Sequence, residues 1–217
     1  MIKGEKIETG TVQSRQIFTL LEQRYPNPRT MLIFKNPFQL FVAVLLSAQS
    51  TDEQVNRITG KLFHVAPTAQ IMAKFKPEEL EPYLRGCGLY RNKSRFLIES
   101  SRIIVEDFGG KLPDNYDKLI LLPGIGRKCA NVILNVAFGK PALAVDTHVF
   151  RVSRRLGLAA GNRPEDVEEQ LKLLLPPEEW GKAHQRLIAH GREVCRARRP
   201  RCAGCILRDC CLWDEKN

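Results

Sequence analysis

Leu122-Pro123-Gly124-Ile125-Gly126-Arg127-Lys128 is the stretch whose reading decides the fold. Its proline and glycines punctuate an otherwise helical pattern, so the chain is expected to turn sharply between two helices. One is a short helix capped by Asp114 and ending at Leu122, and the other runs on to Phe138. The glycines allow positive φ and close approach of the backbone, and the second helix presents unpaired amide N–H groups at its start. Together these features can cradle a phosphate. Ile125, between the glycines, is expected to pack inward and hold the turn. Contacts made through main chain carry no base readout, so such a hairpin positions a nucleic acid and does not select bases. Read from the glycines alone, a purely structural turn fits equally well.

Outward from the hairpin, apolar residues return every three or four positions and sustained alternation is nearly absent, which predicts an all-α protein. Helices are expected over 11–25, 37–46, 77–85, 91–108, 147–156, 164–175 and 178–194, with another opened by Ser50 or Thr51 as its cap. Asn36 and Pro37 form an N-cap and first-position pair for the apolar segment through Leu46, and Gly109 and Gly110 stop the long helix that ends at Phe108. Within the capped helix Val55, Ile58, Leu62 and Phe63 are expected to face inward. Gly139, Pro141 and the extended stretch Ala142 to Val145 read as a crossing between two lobes.

A chain of 217 residues can bury a sizeable core as one large domain or two modest ones. Its longest apolar run, Phe38 to Leu46, is far below the roughly 18 to 20 residues that cross a bilayer. With no secretory pattern at the N-terminus, a soluble cytoplasmic protein without a membrane partner is expected. Lysine and arginine outnumber the acids 34 to 24, and the pI of about 9.4 points to a polyanionic partner. The excess gathers in Lys182, Arg186, Arg192, Arg196, Arg198, Arg199 and Arg201, with a second group at Arg151, Arg154 and Arg155. Such groups attract phosphate backbones, although basic blocks also occur as plain solvated charge.

Seven cysteines in an intracellular chain argue against structural disulfides. Cys195, Cys202, Cys205 and Cys211 are compact enough to meet one metal centre, while Cys87 and Cys129 lie alone and Cys210 adjoins Cys211. Spacing does not choose the metal, because four thiolates suit tetrahedral zinc as well as an iron–sulfur cubane, and the pattern differs from the common ferredoxin spacings.

Several segments stand in an order that resembles the helix-hairpin-helix DNA glycosylases, and among them the endonuclease III family. They are Leu45-Leu46-Ser47-Ala48-Gln49-Ser50-Thr51-Asp52, Gly88-Leu89-Tyr90, Leu122 to Lys128, Val145-Asp146-Thr147-His148-Val149-Phe150-Arg151, and the terminal cysteines. The likeness spans about Phe38 to Cys211, most of the chain. It implies a two-lobed fold: a six-helix barrel over 30–140 holding the hairpin, and a second lobe of 1–29 with 141–217 holding a [4Fe-4S] cluster on the four cysteines, with DNA in the cleft between.

The same resemblance implies base excision of oxidised pyrimidines from damaged double-stranded DNA, followed by lyase cleavage 3′ to the abasic site. Lys128, in the first turn of the hairpin's second helix, is the implied nucleophile at C1′. There the helix dipole disfavours the ammonium form, and a neutral amine attacks. Read without the family, it is a surface lysine bound to phosphate. Asp146 is the implied carboxylate that stabilises charge on the sugar and assists proton transfers; read alone, it is an N-cap for Thr147-His148-Val149. Since the target base must leave the stack, Gln49 and Leu89 match the family's gap-filling pair, whereas alone they read as a helix-capping glutamine and a core leucine. Gly124, Ile125, Gly126 and Arg127 are the implied contacts to the DNA backbone. A monomer is expected, since no heptad or dimer surface is evident. Two other readings are a monofunctional glycosylase of the same fold, against which Lys128 argues, and a non-catalytic DNA-binding module.

Overall fold

The computed structural model describes residues 3–214, with side chains from Val12 onward. Among the described residues there are eleven α-helices and no strand. They are α1 (Lys3–Arg24), α2 (Pro37–Leu46), α3 (Asp52–Val65), α4 (Ala69–Met72), α5 (Pro77–Leu84), α6 (Tyr90–Phe108), α7 (Tyr116–Leu119), α8 (Arg127–Phe138), α9 (Thr147–Arg155), α10 (Pro164–Leu174) and α11 (Trp180–Glu193). No helix among them is long and apolar enough to cross a membrane. The chain divides into two compact units, Thr30–Lys140 and Met1–Arg29 with Pro141–Asn217.

In the first unit α2 is the centre. It is apolar on every side, which marks a helix enclosed all round, and every residue from Phe38 to Leu46 is buried. Asn36 Oδ1 accepts the Gln39 amide at 2.9 Å, and Gln39 Oε1 accepts the Lys35 amide at 2.9 Å. This reciprocal capping fixes where the helix starts. Helices α3, α6 and α8 pack on it, closing a core around Leu40, Phe41, Leu46, Leu62, Leu97 and Ile104. Removing a ring such as that of Phe41 from such a core costs about 3–5 kcal/mol.

The local expectations hold in most places and fail in a few. Thr51, not Ser50, caps α3 by accepting the Gln54 amide. Phe63 is only half-buried, whereas Val55, Ile58 and Leu62 face inward. The short helix before the hairpin is capped by Asn115, whose side chain accepts the Lys118 amide. Asp114 is instead drawn 2.6 Å from Lys140 Nζ, which holds its carboxyl below the usual carboxylate range. The one-turn helix α4, capped by Thr68, had no periodic signal because four residues are too few to show one.

The second unit is built around α11, which packs on α1 and α9. Its core holds Ile17, Leu21, Val149, Val152, Val167, Leu171, Leu187 and Leu207. Gly191 lets α9 lie close, since a Cβ there would stand 3.0 Å from that of His148. Arg186 is 4% exposed and reaches Glu22 at 2.5 Å and Glu179 at 3.4 Å. It is therefore a buried strut between α1 and α11, and not part of a phosphate-attracting surface. Tyr25, edge-on to His190 and bonded to Glu193, is pushed up to about 12 by burial and by the Glu193 charge.

Candidate functional site

The hairpin joins α7 to α8 through Leu122 N to Leu119 O at 3.1 Å and Ile125 N to Leu122 O at 3.0 Å. Ile125 is buried as expected. The two glycines serve different needs. Gly124 has φ +84°, and an added Cβ would meet Phe96 Cδ2 at 2.9 Å and Leu45 Cδ1 at 3.3 Å, so both conformation and packing demand it. Gly126 has φ −99°, a value any residue adopts, with nothing within 4 Å of where a Cβ would stand. The chain itself gives Gly126 no reason to be glycine, but an incoming group needing close contact with the backbone would. Gly126 is also the N-cap of α8 and supplies no side-chain hydrogen bond to the first turn of that helix. Lys128 is exposed in this first turn, and Cys129 beside it is half-buried.

Gln49 and Leu89 share an uncommon feature. Both have left-handed backbones, φ 55° and 58°, and both are exposed, Leu89 by 57%. A core leucine is thereby excluded at 89, and Gln49 caps no helix, since Thr51 does. Left-handed non-glycine residues persist only where their surroundings impose them, and they gather at working sites. The loops that bear them touch: a Cβ on Gly88 would stand 3.1 Å from the Gln49 carbonyl.

Asp146 is the N-cap of α9, its Oδ1 accepting the amides of His148 and Val149, each at 2.8 Å. The cap uses one oxygen, so the other can serve chemistry. The carboxylate follows the buried run Ala142 to Val145, fixed in turn by His184, which donates Nδ1–H to the Ala144 carbonyl at 2.8 Å. His148 is half-buried and held below the usual imidazole range, first by burial, against the pull of Asp146 and with help from Arg151 and Arg192. Its Nδ1 stands 3.1 Å from Arg151 Nη2, a guanidinium nitrogen that can only donate.

The cysteines divide as their chemistry requires. Cys195, Cys202, Cys205 and Cys211 are half-buried, whereas Cys210 is buried with its thiol on the Leu207 carbonyl. The Gln13 amide anchors the Cys210 carbonyl at 2.8 Å. Cys210 is thereby a packing residue. Burial pushes the Cys202 and Cys205 thiols up, and Arg155 stands between two others of the four, its Nη1 3.6 Å from Cys195 Sγ and its carbonyl accepting the Cys211 thiol at 3.3 Å. That donor set suits a thiolate-bound metal centre, although no three of the described side chains are already closed round a point.

Two arginines expected on the phosphate-facing surface instead hold this loop. Arg151 donates to the Cys195 and Gly191 carbonyls, each at 3.0 Å, and Arg155 donates to the Arg196 carbonyl at 2.8 Å while its guanidinium lies 3.7 Å from the Trp213 ring centroid. Arg154, Lys182, Arg192, Arg196, Arg198, Arg199 and Arg201 are exposed.

The hairpin with a lysine on the first turn of α8 lies in the first unit, and the aspartate that caps α9 after a buried extended run lies in the second. Residues 42–177 match the model of the HhH-GPD superfamily base excision DNA repair protein, and the chain belongs to that superfamily. At closer range it is 46% identical to endonuclease III of Escherichia coli strain K12, over 93% of this chain and 95% of that one. It is 46% identical to endonuclease III of Bacillus subtilis, over 89% of each. A solved structure of a trapped endonuclease III–DNA covalent intermediate superposes with a TM-score of 0.87 at 42% identity, covering 92% of this chain and 95% of that one.

Proposed function

We propose that this protein is a bifunctional glycosylase and abasic-site lyase of base excision repair, removing oxidised pyrimidines from double-stranded DNA. The observation that carries the reading is Lys128, exposed on the first turn of α8 directly after a hairpin whose Gly126 leaves room for a phosphate. In this reading Gly124, Ile125, Gly126 and Arg127 seat the DNA backbone, and the amine of Lys128 is the nucleophile.

The amine attacks C1′ of the flipped nucleotide, the C1′–N bond breaks, and the base departs with its bonding pair and takes up a proton. Loss of a proton from nitrogen and opening of the sugar leave an imine at C1′. Removal of a C2′ proton then expels the 3′ phosphate by β-elimination, and water releases the sugar remnant from Lys128. Asp146 is the carboxylate that balances positive charge on the sugar and relays these protons. Gln49 and Leu89 occupy the gap left by the flipped nucleotide, the amide facing the orphaned base and the leucine wedged between steps.

Residues 30–140 act as the barrel domain bearing the hairpin, and residues 1–29 with 141–217 as the iron–sulfur domain. Cys195, Cys202, Cys205 and Cys211 hold a [4Fe-4S] cluster, whose work is to stiffen the loop that carries Arg196, Arg198, Arg199 and Arg201. The protein acts as a monomer in the cytoplasm, on the nucleoid. The test is incubation with duplex DNA carrying one thymine glycol or abasic site, followed by borohydride. A trapped adduct and a β-elimination product that vanish in Lys128→Ala support the reading. Base loss without trapping in the wild type would give a monofunctional glycosylase, and binding alone a DNA-binding module.

A further inference from the structure

Beneath the loops of Gln49 and Leu89 lies a lysine that the chemistry above does not use. Lys93, in the first turn of α6, is 4% exposed. Lysines are almost never buried unless paired, yet among the described residues this one has no carboxylate partner. Its three donors go to the Leu46 carbonyl at 2.8 Å, the Ala48 carbonyl at 2.5 Å and Cys87 Sγ at 3.0 Å. The first two are the closing carbonyls of α2 and of the turn after it, where the helix dipole favours a cation. They run directly into Gln49. The third is two residues before Leu89. Cys87 also stands 3.1 Å from Ser50 Oγ and 3.3 Å from the Leu46 carbonyl, and Gln54 of α3 bonds the Gly86 carbonyl.

We propose that Lys93 is a positioning residue that fastens the Gln49 loop and the Leu89 loop into one rigid wedge, so that both side chains enter the DNA stack together. The inference rests on the reading of Gln49 and Leu89 as gap-filling residues. Each of those residues is held in a backbone conformation that its own chemistry disfavours, and something must hold it there. Lys93 touches both loops at once with all its donors used. Loss of the ammonium takes a donor from the Leu46 and Ala48 carbonyls, leaves the first of them to the Cys87 thiol, and separates the loops. The step that suffers is base displacement; Lys128 and its chemistry lie elsewhere on the hairpin.

The experiment compares Lys93→Met, Cys87→Ala and Leu89→Ala with wild type on two substrates under single turnover. One is duplex DNA with a thymine glycol, which must be displaced; the other is a single-stranded oligonucleotide with an abasic site, which has no base to displace and no partner to replace. Lys93→Met should lower the duplex rate about 10- to 100-fold, since small displacements of positioning groups have effects of that order, while single-strand cleavage falls less than about threefold. Cys87→Ala, which leaves Lys93 on both carbonyls, should shift the same ratio in the same direction by a smaller factor. It decides the matter if Lys93→Met does not fold. Parallel loss on both substrates, or no change in the ratio, would overturn the proposal. If Leu89→Ala lowers the ratio and the hub variants do not, Lys93 alone is refuted. If Leu89→Ala also leaves it unchanged, the wedge reading falls and the proposal with it.

Discussion

Gly124 stands so close to Phe96 that a methyl on its Cα would lie 2.9 Å from the ring's Cδ2, and its φ is +84°. Gly126, two residues on, has neither constraint. The pair therefore separates the hairpin's fold from its function. Gly124→Ala should cost about 1–3 kcal/mol in urea unfolding, from the left-handed backbone and the collision together. Gly126→Ala should change stability by less than about 1 kcal/mol, the difference between glycine and alanine at an N-cap, yet weaken duplex binding, because its methyl fills the space where a phosphate would sit. Anisotropy titrations read the second effect. Unchanged affinity in Gly126→Ala would mean that the hairpin is only a turn.

Asp146 carries a structural bond and a proposed chemical one, and substitution can part them. Asparagine is as good an N-cap as aspartate, so Asp146→Asn should retain stability within about 0.5 kcal/mol, whereas Asp146→Ala, with no acceptor for the His148 and Val149 amides, should lose roughly 1 kcal/mol. Both remove the carboxylate, so both should slow single-turnover excision. An asparagine variant of wild-type speed would leave Asp146 as a cap and nothing more.

His148 gives the acid-side prediction its sign. Burial holds the folded imidazole below its usual 6.5, so from 6.5 downward the unfolded chain binds the proton more readily. Stability should therefore be full above pH 6.5 and fall as pH drops toward the folded value. Protonation also puts a positive ring against Arg151, whose Nη2 it otherwise accepts. His148→Gln can still accept from Arg151 and cannot titrate, so its urea midpoint should depend less steeply on pH below 6.5. Some slope persists, since burial also holds His190 down to about 4. Equal slopes in variant and wild type would mean that His148 is not the group responsible.

The features legible in the sequence are those written in local chemistry. Asn36, Thr51 and Asp146 are short side chains that accept amides wherever a helix starts, and Gly109 and Gly139 stop helices at positive φ. The hairpin could be read because proline and glycine punctuate it. What escaped depends on distant contacts. Nothing in a glutamine or a leucine announces a left-handed backbone, so the strain at Gln49 and Leu89 was invisible. Lys93 gives no signal because lysine is expected in water, and Cys87 reads as a lone cysteine because its partners lie up to 41 residues away. Arg151, Arg155 and Arg186 read as phosphate-facing charge, since sequence records a guanidinium but not the carbonyl or carboxylate it points to. Asp114 lost its cap role to Asn115 because Lys140 competes for its carboxylate.

Adjacent thiols test the metal reading most directly. Cys210 and Cys211 are neighbours, but the Cys210 thiol is turned into the core onto the Leu207 carbonyl, while the Cys211 thiol donates to the carbonyl of Arg155, whose guanidinium meets Cys195 Sγ. If Cys195, Cys202, Cys205 and Cys211 hold the proposed cluster, serine at any of them should lower iron per protein and the broad visible absorbance of the purified chain. Cys210→Ser should leave both at the wild-type level, at a stability cost of about 1–3 kcal/mol for placing a more polar group in the core. Chelation of the wild type would then be expected to lower the unfolding midpoint, because a centre bound only by the folded chain adds its binding energy to stability. Zinc in place of iron, at one ion per chain and lost in the same four variants, would keep the ligand set and replace the cluster by a single tetrahedral ion. Full iron in Cys211→Ser with loss in Cys210→Ser would reverse the assignment of the fourth ligand.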